Sequence, residues 1–256
     1  MTTEMRQVPA GLSRETIERL ARERGEPEWH IQRRVEAFER FLQLPMPSPK
    51  QEDWRYTDIT TLHLEDYPAV AWGGTELGAP PQTMPAFLTD HPTIRVVHRV
   101  GFGFEAEIPD ALQQKGVQVR DLREVLIQNP EQLQEDLGRL APLPGDKFSF
   151  LHTACWDTGL YVYLPPNVEV EGVIEIIHWF ETPGAHFPHT VIVAEPNSRA
   201  NIVQSFFSPE EAPVLAVGAV EVFNRANSDL RHAIVQRMGR ASVFLTSGDY
   251  EQKRDS

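Results

Sequence analysis

Two histidines and a glutamate in the segment GAHFPHTVIVAEPNS are the side chains best suited to metal chemistry. His186, His189 and Glu195 offer imidazole and carboxylate groups, which are common ligands of transition metals. Side chains alternate between the two faces of a strand, so two histidines that share a face lie two residues apart. His186 and His189 are three apart, and Pro188 between them indicates a turn followed by a strand that starts near His189. The spacing predicts ordinary hydrogen-bonded histidines and no metal site.

Cys155, the one cysteine of the chain, has His152 before it and Asp157 after it. A thiol beside an imidazole is a nucleophilic pair, but the two partners usually come from distant parts of a chain. A lone cysteine is more often a small buried apolar residue. A single cysteine also excludes an internal disulfide and a cysteine-rich metal or cluster site within one chain, which is typical of a reducing compartment. We expect no catalytic residue here.

Two pairs of acids have the spacing that places two carboxylates on one strand face, as a glycosidase requires. They are Glu105 with Glu107 and Glu169 with Glu171. Solvent-exposed strand faces explain such pairs at least as well. The glycines at Gly101–Phe104 lack the strand, spacing and following helix of a dinucleotide-binding turn, and the sequence contains no GxxxxGK[ST] phosphate loop. We therefore expect that the chain does not hydrolyse nucleotides.

Composition excludes several classes of partner. The 256 residues carry 24 basic and 37 acidic side chains, for a formal charge of −13. This charge repels nucleic acids and anionic membrane surfaces. No apolar run approaches the roughly 18 residues of a membrane span, and the first residues lack the apolar core of a signal peptide. These features predict a cytoplasmic protein with a core large enough for one or two domains.

Helical periodicity marks the beginning of the chain. Ser13 is a candidate N-cap of a first helix that ends near Gly25. A second helix ends before Pro45, and its predicted apolar stripe consists of Ile31, Val35, Phe38 and Leu42. These features predict two helices that bury one face each.

The middle of the chain has mixed signals. A proline- and glycine-rich connection runs from Pro68 to Pro85, and IRVVHRVGFGFEAEI predicts a hairpin. Two short helices are predicted on either side of Pro130, with apolar positions Leu122, Val125, Leu126, Leu133, Leu137 and Leu140. A polar turn at Pro144–Asp146 then separates an N-terminal helical and mixed region, 1–145, from a β core, 146–256.

Short apolar runs follow one another about every ten residues after Gly159. Examples are GLYVYL, VIEIIHWF, HTVIVA and VLAVGAVEVF, separated by turn signals such as Pro165–Asn167 and Pro196–Ser198. This spacing indicates a sandwich, a barrel or a β-helix, and periodicity does not choose among them. The absence of helix-length segments between the runs argues against a βαβ fold.

Two stretches together resemble one family, the SufB/SufD iron–sulfur assembly proteins. EPEWHIQRRVEAFERFLQLPMPSPKQEDWRYTDI is similar to the N-terminal region of SufD-type proteins, and ACWDTGLYVYLPPNVEVEGVIEIIHWF is similar to the start of the family's core. PHTVIVAEPNSRANIVQSF continues the likeness. The resemblance implies a right-handed parallel β-helix behind an N-terminal helical region. In its light KQEDWRYTDI is interpreted as a structural clasp, in which Trp54 and Tyr56 supply buried faces and Asp53, Arg55 and Asp58 pair at the rim.

The resemblance also implies a role without catalysis. Family members act with the SufC ATPase and a SufB partner, where iron–sulfur clusters are built for client proteins. The chain is therefore expected to be a scaffold that holds no cofactor when isolated, with a cluster present only transiently in the complex. Relatives continue beyond the position of Ser256 through parts that bind the ATPase and carry the proposed assembly positions, so no ligand residue is transferred to this sequence.

The end of the predicted β-helix is expected to bind a partner. The last strand candidates, LRHAIVQRM and ASVFL, are followed by a short polar tail, and an uncovered coil exposes backbone groups that can pair with another strand. A SufB-like heterodimer or a homodimer would cover it. Two alternatives remain: a cupin-like metalloprotein at Gly184, His186, His189 and Glu195, and a carbohydrate-active β-helix enzyme using Glu169 and Glu171.

Overall fold

A computed structural model of the chain describes residues 8–70, 86–134, 137, 147–254 and 256. Within these ranges, six α-helices lie mainly in the first part of the chain. They are α1 (Arg14–Glu23), α2 (Glu28–Gln43), α3 (Asp110–Gln114), α4 (Leu122–Gln128), α5 (Pro130–Gln134) and α6 (Lys147–Cys155). In the described part of the chain, the short 3₁₀ turns Glu52–Trp54 and Leu64–Asp66 follow α2.

Eleven strands within the described residues form two sheets. They are β1 (Ile94–Arg99), β2 (Gly103–Glu107), β3 (Gln118–Asp121), β4 (Thr158–Leu164), β5 (Glu169–Trp179), β6 (Gly184–His186), β7 (Pro188–Ala194), β8 (Arg199–Phe207), β9 (Val214–Asn224), β10 (Asp229–Arg237) and β11 (Val243–Gln252). The first sheet has the order β10-β8-β5-β1-β2, and the second has the order β11-β9-β7-β4-β3, with β6 beside β9. All pairs are parallel except β1 with β2 and β3 with β4. The predicted parallel β-helix with N-terminal helices is confirmed.

Each full turn of the β-helix, called a coil here, is about thirty residues long, and three asparagines mark this repeat in the sequence. Asn167, Asn197 and Asn227 stand thirty residues apart and share a φ near +60°, a conformation that asparagine tolerates better than most residues. The Asn197 amide donates to Asn167 Oδ1 at 2.9 Å. Each asparagine therefore turns the chain from one sheet to the other at the same place in its coil.

Two apolar cores lie on opposite sides of the second sheet. One fills the space between the sheets and includes Ile176, Ile192 and Val222. The other lies between the outer face of the second sheet and the helices, and includes Phe41, Leu151 and Val217. Because β7 and β9 are covered on both faces, every residue in each is buried, which explains their continuous apolar runs.

The first helix forms as predicted, and the second buries a different face. Ser13 caps α1 by accepting a hydrogen bond from the Thr16 N–H at 3.1 Å. The predicted stripe of α2 is wrong at Val35, which is only half-buried, and at Leu42, which is 53% exposed. The buried residues of α2 are His30, Ile31, Arg34, Ala37, Phe38 and Phe41. This face includes two polar side chains because they have partners in the interior.

The middle of the chain joins the sheets. The predicted hairpin is confirmed as β1 and β2, with Arg95 opposite Glu107, and α4 and α5 lie on either side of the 129–130 junction. Because β1 pairs with β5 and β3 pairs with β4, these early strands belong to the same two sheets as the C-terminal coils. The division of the chain into two regions near residue 146 stays a prediction. Residues 71–85 of the expected connection, Leu140 and the turn at Pro144–Asp146 lie outside the described residues.

Candidate functional site

Five polar side chains on five strands form a continuous hydrogen-bonded line through the β-helix, which we call the polar chain. His98 Nδ1 lies 3.0 Å from His178 Nδ1, and His178 Nε2 lies 2.9 Å from the amide nitrogen of Gln204. The amide oxygen of Gln204 lies 2.7 Å from His232 Nε2, and His232 Nδ1 lies 2.8 Å from the Tyr250 hydroxyl. The line begins in the interior at β1 and reaches the surface at β11, where Tyr250 is 49% exposed.

The chemistry of Gln204 sets the direction of every bond in the polar chain. Its amide nitrogen only donates, so His178 Nε2 accepts and the His178 proton is on Nδ1, where it is donated to His98. The Gln204 oxygen only accepts, so His232 donates from Nε2 and accepts the Tyr250 proton on Nδ1. All donors therefore point inward, and the Tyr250 oxygen is left to accept a hydrogen bond at the surface.

The three histidines of the polar chain are neutral. Burial lowers the pKa of His98 to about 3, with a further contribution from His186, and burial lowers the pKa of His232 to about 4. Burial and the neighbouring His98 hold the pKa of His178 well below its ordinary value. Because each link carries one proton and no charge, the polar chain is suited to fixing the coils against one another rather than to acid–base catalysis.

A second polar cluster joins α2 to α6 and to Trp156, which precedes the first strand after α6. Arg34, which is fully buried, donates to both oxygens of Glu26 at 2.6 and 3.0 Å and to the Ala154 carbonyl at 3.1 Å. Its guanidinium lies 4.8 Å from the centre of the Trp156 ring. His30 adds a contact to Glu26 at 2.8 Å. Burial raises the pKa of Glu26, but Arg34 and His30 outweigh this effect and bring it to about 2.

A water-sized cavity of about 10 Å³ lies beside this cluster. His189 lines it, with Nε2 3.1 Å from Glu221 Oε1, although neither ring nitrogen has a hydrogen-bond partner in good geometry among the described residues. His152 packs edge-on against His189 with ring centres 5.0 Å apart. Such a space, with polar groups on its wall, is sufficient for one buried water.

The histidines singled out by the sequence lie in separate environments, as their spacing predicts. His186 Nε2 donates to the Thr182 carbonyl at 2.6 Å and packs against Phe180, whereas His189 faces Glu221. The expectation that His186 lies in a turn is wrong, because it lies in β6. Both side chains are buried, His186 against Phe180 in the core between the sheets and His189 against His152 and Trp156 on the helix side. No group of three potential metal ligands in suitable geometry occurs in the described ranges.

Cys155 lies in the environment of an unreactive thiol. It is completely buried at the end of α6, and burial raises the pKa of its thiol, which opposes formation of the nucleophilic thiolate. His152 donates from Nε2 to the Pro188 carbonyl at 3.1 Å. Asp157 is also buried, and burial raises its pKa to about 7.

The carboxylate pairs lie on the surface. Glu107 pairs with Arg95 at 3.4 Å across the hairpin, whose turn contains Gly101 and whose second strand begins at Gly103. Glu169 and Glu171 line a groove of about 320 Å³, in which Arg199 stands in register with Glu169. The described lining of this groove contains no aromatic residue, unlike the aromatic-lined cleft expected of a carbohydrate-active enzyme.

The clasp is only partly as predicted. Trp54 is half-buried and packs against Phe148 with ring centres 5.6 Å apart. Tyr56 is 89% exposed, so its predicted buried face is wrong. The rim pairing is also different, since Arg55 lies 3.7 Å from Glu52 and Asp58 accepts hydrogen bonds from Thr60. A single 3₁₀ turn directs only the tryptophan inward, which leaves its neighbours in solvent.

The polar chain was missed because its members are far apart in sequence. A signal existed: a histidine or glutamine interrupts an apolar run in VVHRV, IIHWF, IVQSF and LRHAI. His178, Gln204 and His232 are separated by 26 and 28 residues, so the thirty-residue interval of the asparagines does not by itself align these runs. Within the described ranges, the last coil has no strand beyond it, and its Ile234 and Tyr250 are 37% and 49% exposed.

Comparison with known proteins identifies two matching regions. Residues 18–176 match a family model described as the SufBD protein N-terminal region, and residues 179–256 match one described as the SUF system FeS cluster assembly, SufBD core domain. None of the helices in the described part of the chain is long and apolar enough to cross a membrane.

Several curated relatives are similar to most of this chain, and each is named an iron–sulfur cluster assembly SufBD family protein. A relative from Staphylococcus haemolyticus is 22% identical over 88% of the chain, a chloroplastic one from Arabidopsis thaliana 25% over 90%, and one from Mycobacterium bovis 26% over 93%. The chain spans 50%, 43% and 28% of these relatives' own lengths, respectively. With family models matching both the N-terminal region and the core, the chain belongs to the SufB/SufD family of iron–sulfur cluster assembly proteins.

Proposed function

We propose that this chain is a non-catalytic scaffold component of a SUF-type iron–sulfur cluster assembly complex in the cytoplasm. The observation that carries the proposal is the match to both the N-terminal and the core family models over residues 18–176 and 179–256. The chemistry of the interior supports it, because burial keeps the Cys155 thiol protonated and the histidines of the polar chain neutral. A thiol that stays protonated is a poor nucleophile, and imidazoles whose pKa lies far below 7 are weak general bases.

The proposed partners are a SufB-like protein and a SufC-like ATPase, with a second copy of this chain as the alternative to SufB. Membership in the SufB/SufD family supports partners from the SUF system. Ile234 on β10 is 37% exposed and is a candidate contact for such a partner. The iron–sulfur cluster is cargo of the complex, present at assembly and released to clients.

Co-expression of tagged chain with SufB-like and SufC-like proteins tests this proposal. We expect both proteins to co-purify with the chain in fixed ratio, and Ile234→Asp to weaken capture because it places a charge on a partly exposed apolar position of β10. Ile127→Asp, which places the same charge on a similarly exposed isoleucine of α4, is the matched control. Recovery of the chain alone, with both partners well expressed, would refute the proposed complex.

A further inference from the structure

The cavity of about 10 Å³ that His189 lines lies between the helices and the second sheet. Its walls come from α2, α6, β7 and β9 through Arg33, Thr153, His189 and Glu221, respectively. The volume is about that of one water-sized probe, which is the smallest space that holds a water molecule. The site therefore has room for one water or one small ion and excludes larger ligands.

His189 needs a further partner in this space. Its side chain is 3% exposed, and neither ring nitrogen has a hydrogen-bond partner in good geometry among the described residues. Burial, together with Arg33 and Arg34, lowers the pKa of His189 to about 3, so the ring is neutral and has one donor and one acceptor nitrogen. Buried polar groups are nearly always hydrogen-bonded, because an unmade bond is costly. The neutral ring therefore requires a partner that the neighbouring side chains do not supply.

Glu221 determines which ring nitrogen needs a donor. Its Oε1 lies 3.1 Å from His189 Nε2, and an ionised carboxylate only accepts hydrogen bonds. The ring proton is therefore on Nε2, on the side of Glu221, and Nδ1 is left as an acceptor. The carboxylate oxygens also accept more than one hydrogen bond each. A small molecule that donates two hydrogen bonds satisfies both groups.

The charges around the cavity favour a neutral ligand. A cation would be repelled by Arg33 and Arg34, which already disfavour the charged form of His189. An anion would be repelled by Glu221, whose side chain is completely buried. Among the described residues, no group of three potential metal ligands in suitable geometry occurs at this place. Water is the neutral molecule of this size that donates two hydrogen bonds.

We infer that this cavity is a binding site for one ordered water, which donates to His189 Nδ1 and to the Glu221 carboxylate and accepts from the Thr153 hydroxyl. The water joins β7 and β9 to α6, so the contact between the helices and the second sheet is water-mediated at this point. This inference goes beyond the proposed function, because the site and its ligand do not depend on any SUF partner.

Nuclear Overhauser effects between water and protein protons test this site in the full chain. Trp156 borders the cavity, and its ring centre lies 5.4 Å from that of His189. We expect an effect with the sign of a bound water at the Trp156 ring protons, and its loss in His189→Phe, which keeps a ring but removes both nitrogens. The matched control is His63→Phe, at an exposed histidine, which should retain the effect. An equal effect in His189→Phe and in the original chain overturns the proposal.

Two further readouts separate water from other sources of the signal. Thr153→Val removes a hydroxyl whose proton exchanges with water but leaves His189 and Glu221 as partners, so the effect should persist. A high-resolution crystal structure should show one oxygen within hydrogen-bond distance of His189 Nδ1 and of the Glu221 carboxylate. Loss of the effect in Thr153→Val, a dry cavity, or a metal ion at this place overturns the proposal without affecting the family assignment.

Discussion

Replacing Gln204 with leucine tests whether the polar chain stabilises the β-helix. Gln204 is completely buried, and its amide bonds to side chains on three other strands, namely His178, Thr190 and His232. Leucine has a similar size but can neither donate nor accept. His178 and Thr190 then lose a partner in the interior, whereas the half-buried His232 can turn towards water.

The expected cost follows from the number of interior groups that lose a partner. Each buried polar group left unsatisfied costs about 1–3 kcal/mol. Two such groups lose a partner, and burial of the apolar leucine side chain offsets part of their cost. We therefore expect the free energy of unfolding to fall by about 2–4 kcal/mol. Gln236→Leu is the matched control, because Gln236 is exposed on β10 and its replacement should change stability by less than about 0.5 kcal/mol. Urea unfolding at constant m-value measures both.

Nuclear magnetic resonance provides an independent test of the same bonds. Nitrogen shifts distinguish which ring nitrogen of a histidine is protonated, and the polar chain requires the His178 proton on Nδ1 and the His232 proton on Nε2. A proton on His178 Nε2, or equal stability of Gln204→Leu and Gln236→Leu, would refute the directional bonding described above.

Four further perturbations have calculable outcomes. Arg34→Met should cost about 3–5 kcal/mol in urea unfolding by leaving the buried Glu26 carboxylate without its cationic partner, and adding Glu26→Leu should recover much of the loss. The pKa of Glu26 is about 2 in the folded protein rather than the ordinary 4.5. The ionised Glu26 should therefore contribute its full share to the free energy of unfolding above about pH 4.5, and this share should be lost as the pH falls towards 2, which an acid titration of unfolding measures. Trp54→Ala should cost about 1–3 kcal/mol and the exposed Tyr56→Ala under about 0.5, by thermal unfolding. Asn197→Ala should cost about 1–3 kcal/mol and Asn197→Gly less, because glycine accepts the positive φ.

Local signals in the sequence predicted local structure well. Ser13 predicted the start of α1 because an N-cap depends only on the next turn, and the hairpin from β1 to β2 was evident from its glycines and apolar runs. The choice of a β-helix over a sandwich or barrel came from family resemblance, because all three architectures have short strands at similar spacing.

Features that depend on distant partners were not predictable in the same way. The buried face of α2 was misjudged because Arg34 is buried only by virtue of Glu26, eight residues away, and of Trp156, far along the chain. The polar chain likewise depends on bonds between strands such as Gln204 with His232, 28 residues apart. Such contacts follow from the register of the coils, which periodicity within one strand does not contain.

Iron–sulfur occupancy of a client protein in living cells tests the central claim most directly. The gene for this chain is deleted, and a ferredoxin client is purified from deleted, restored and parent cells for measurement of iron per protein and visible absorbance. The proposed assembly role predicts lower cluster occupancy in the deleted strain at unchanged ferredoxin abundance, with recovery on restoring the chain. Full occupancy in the deleted strain under iron limitation would contradict it.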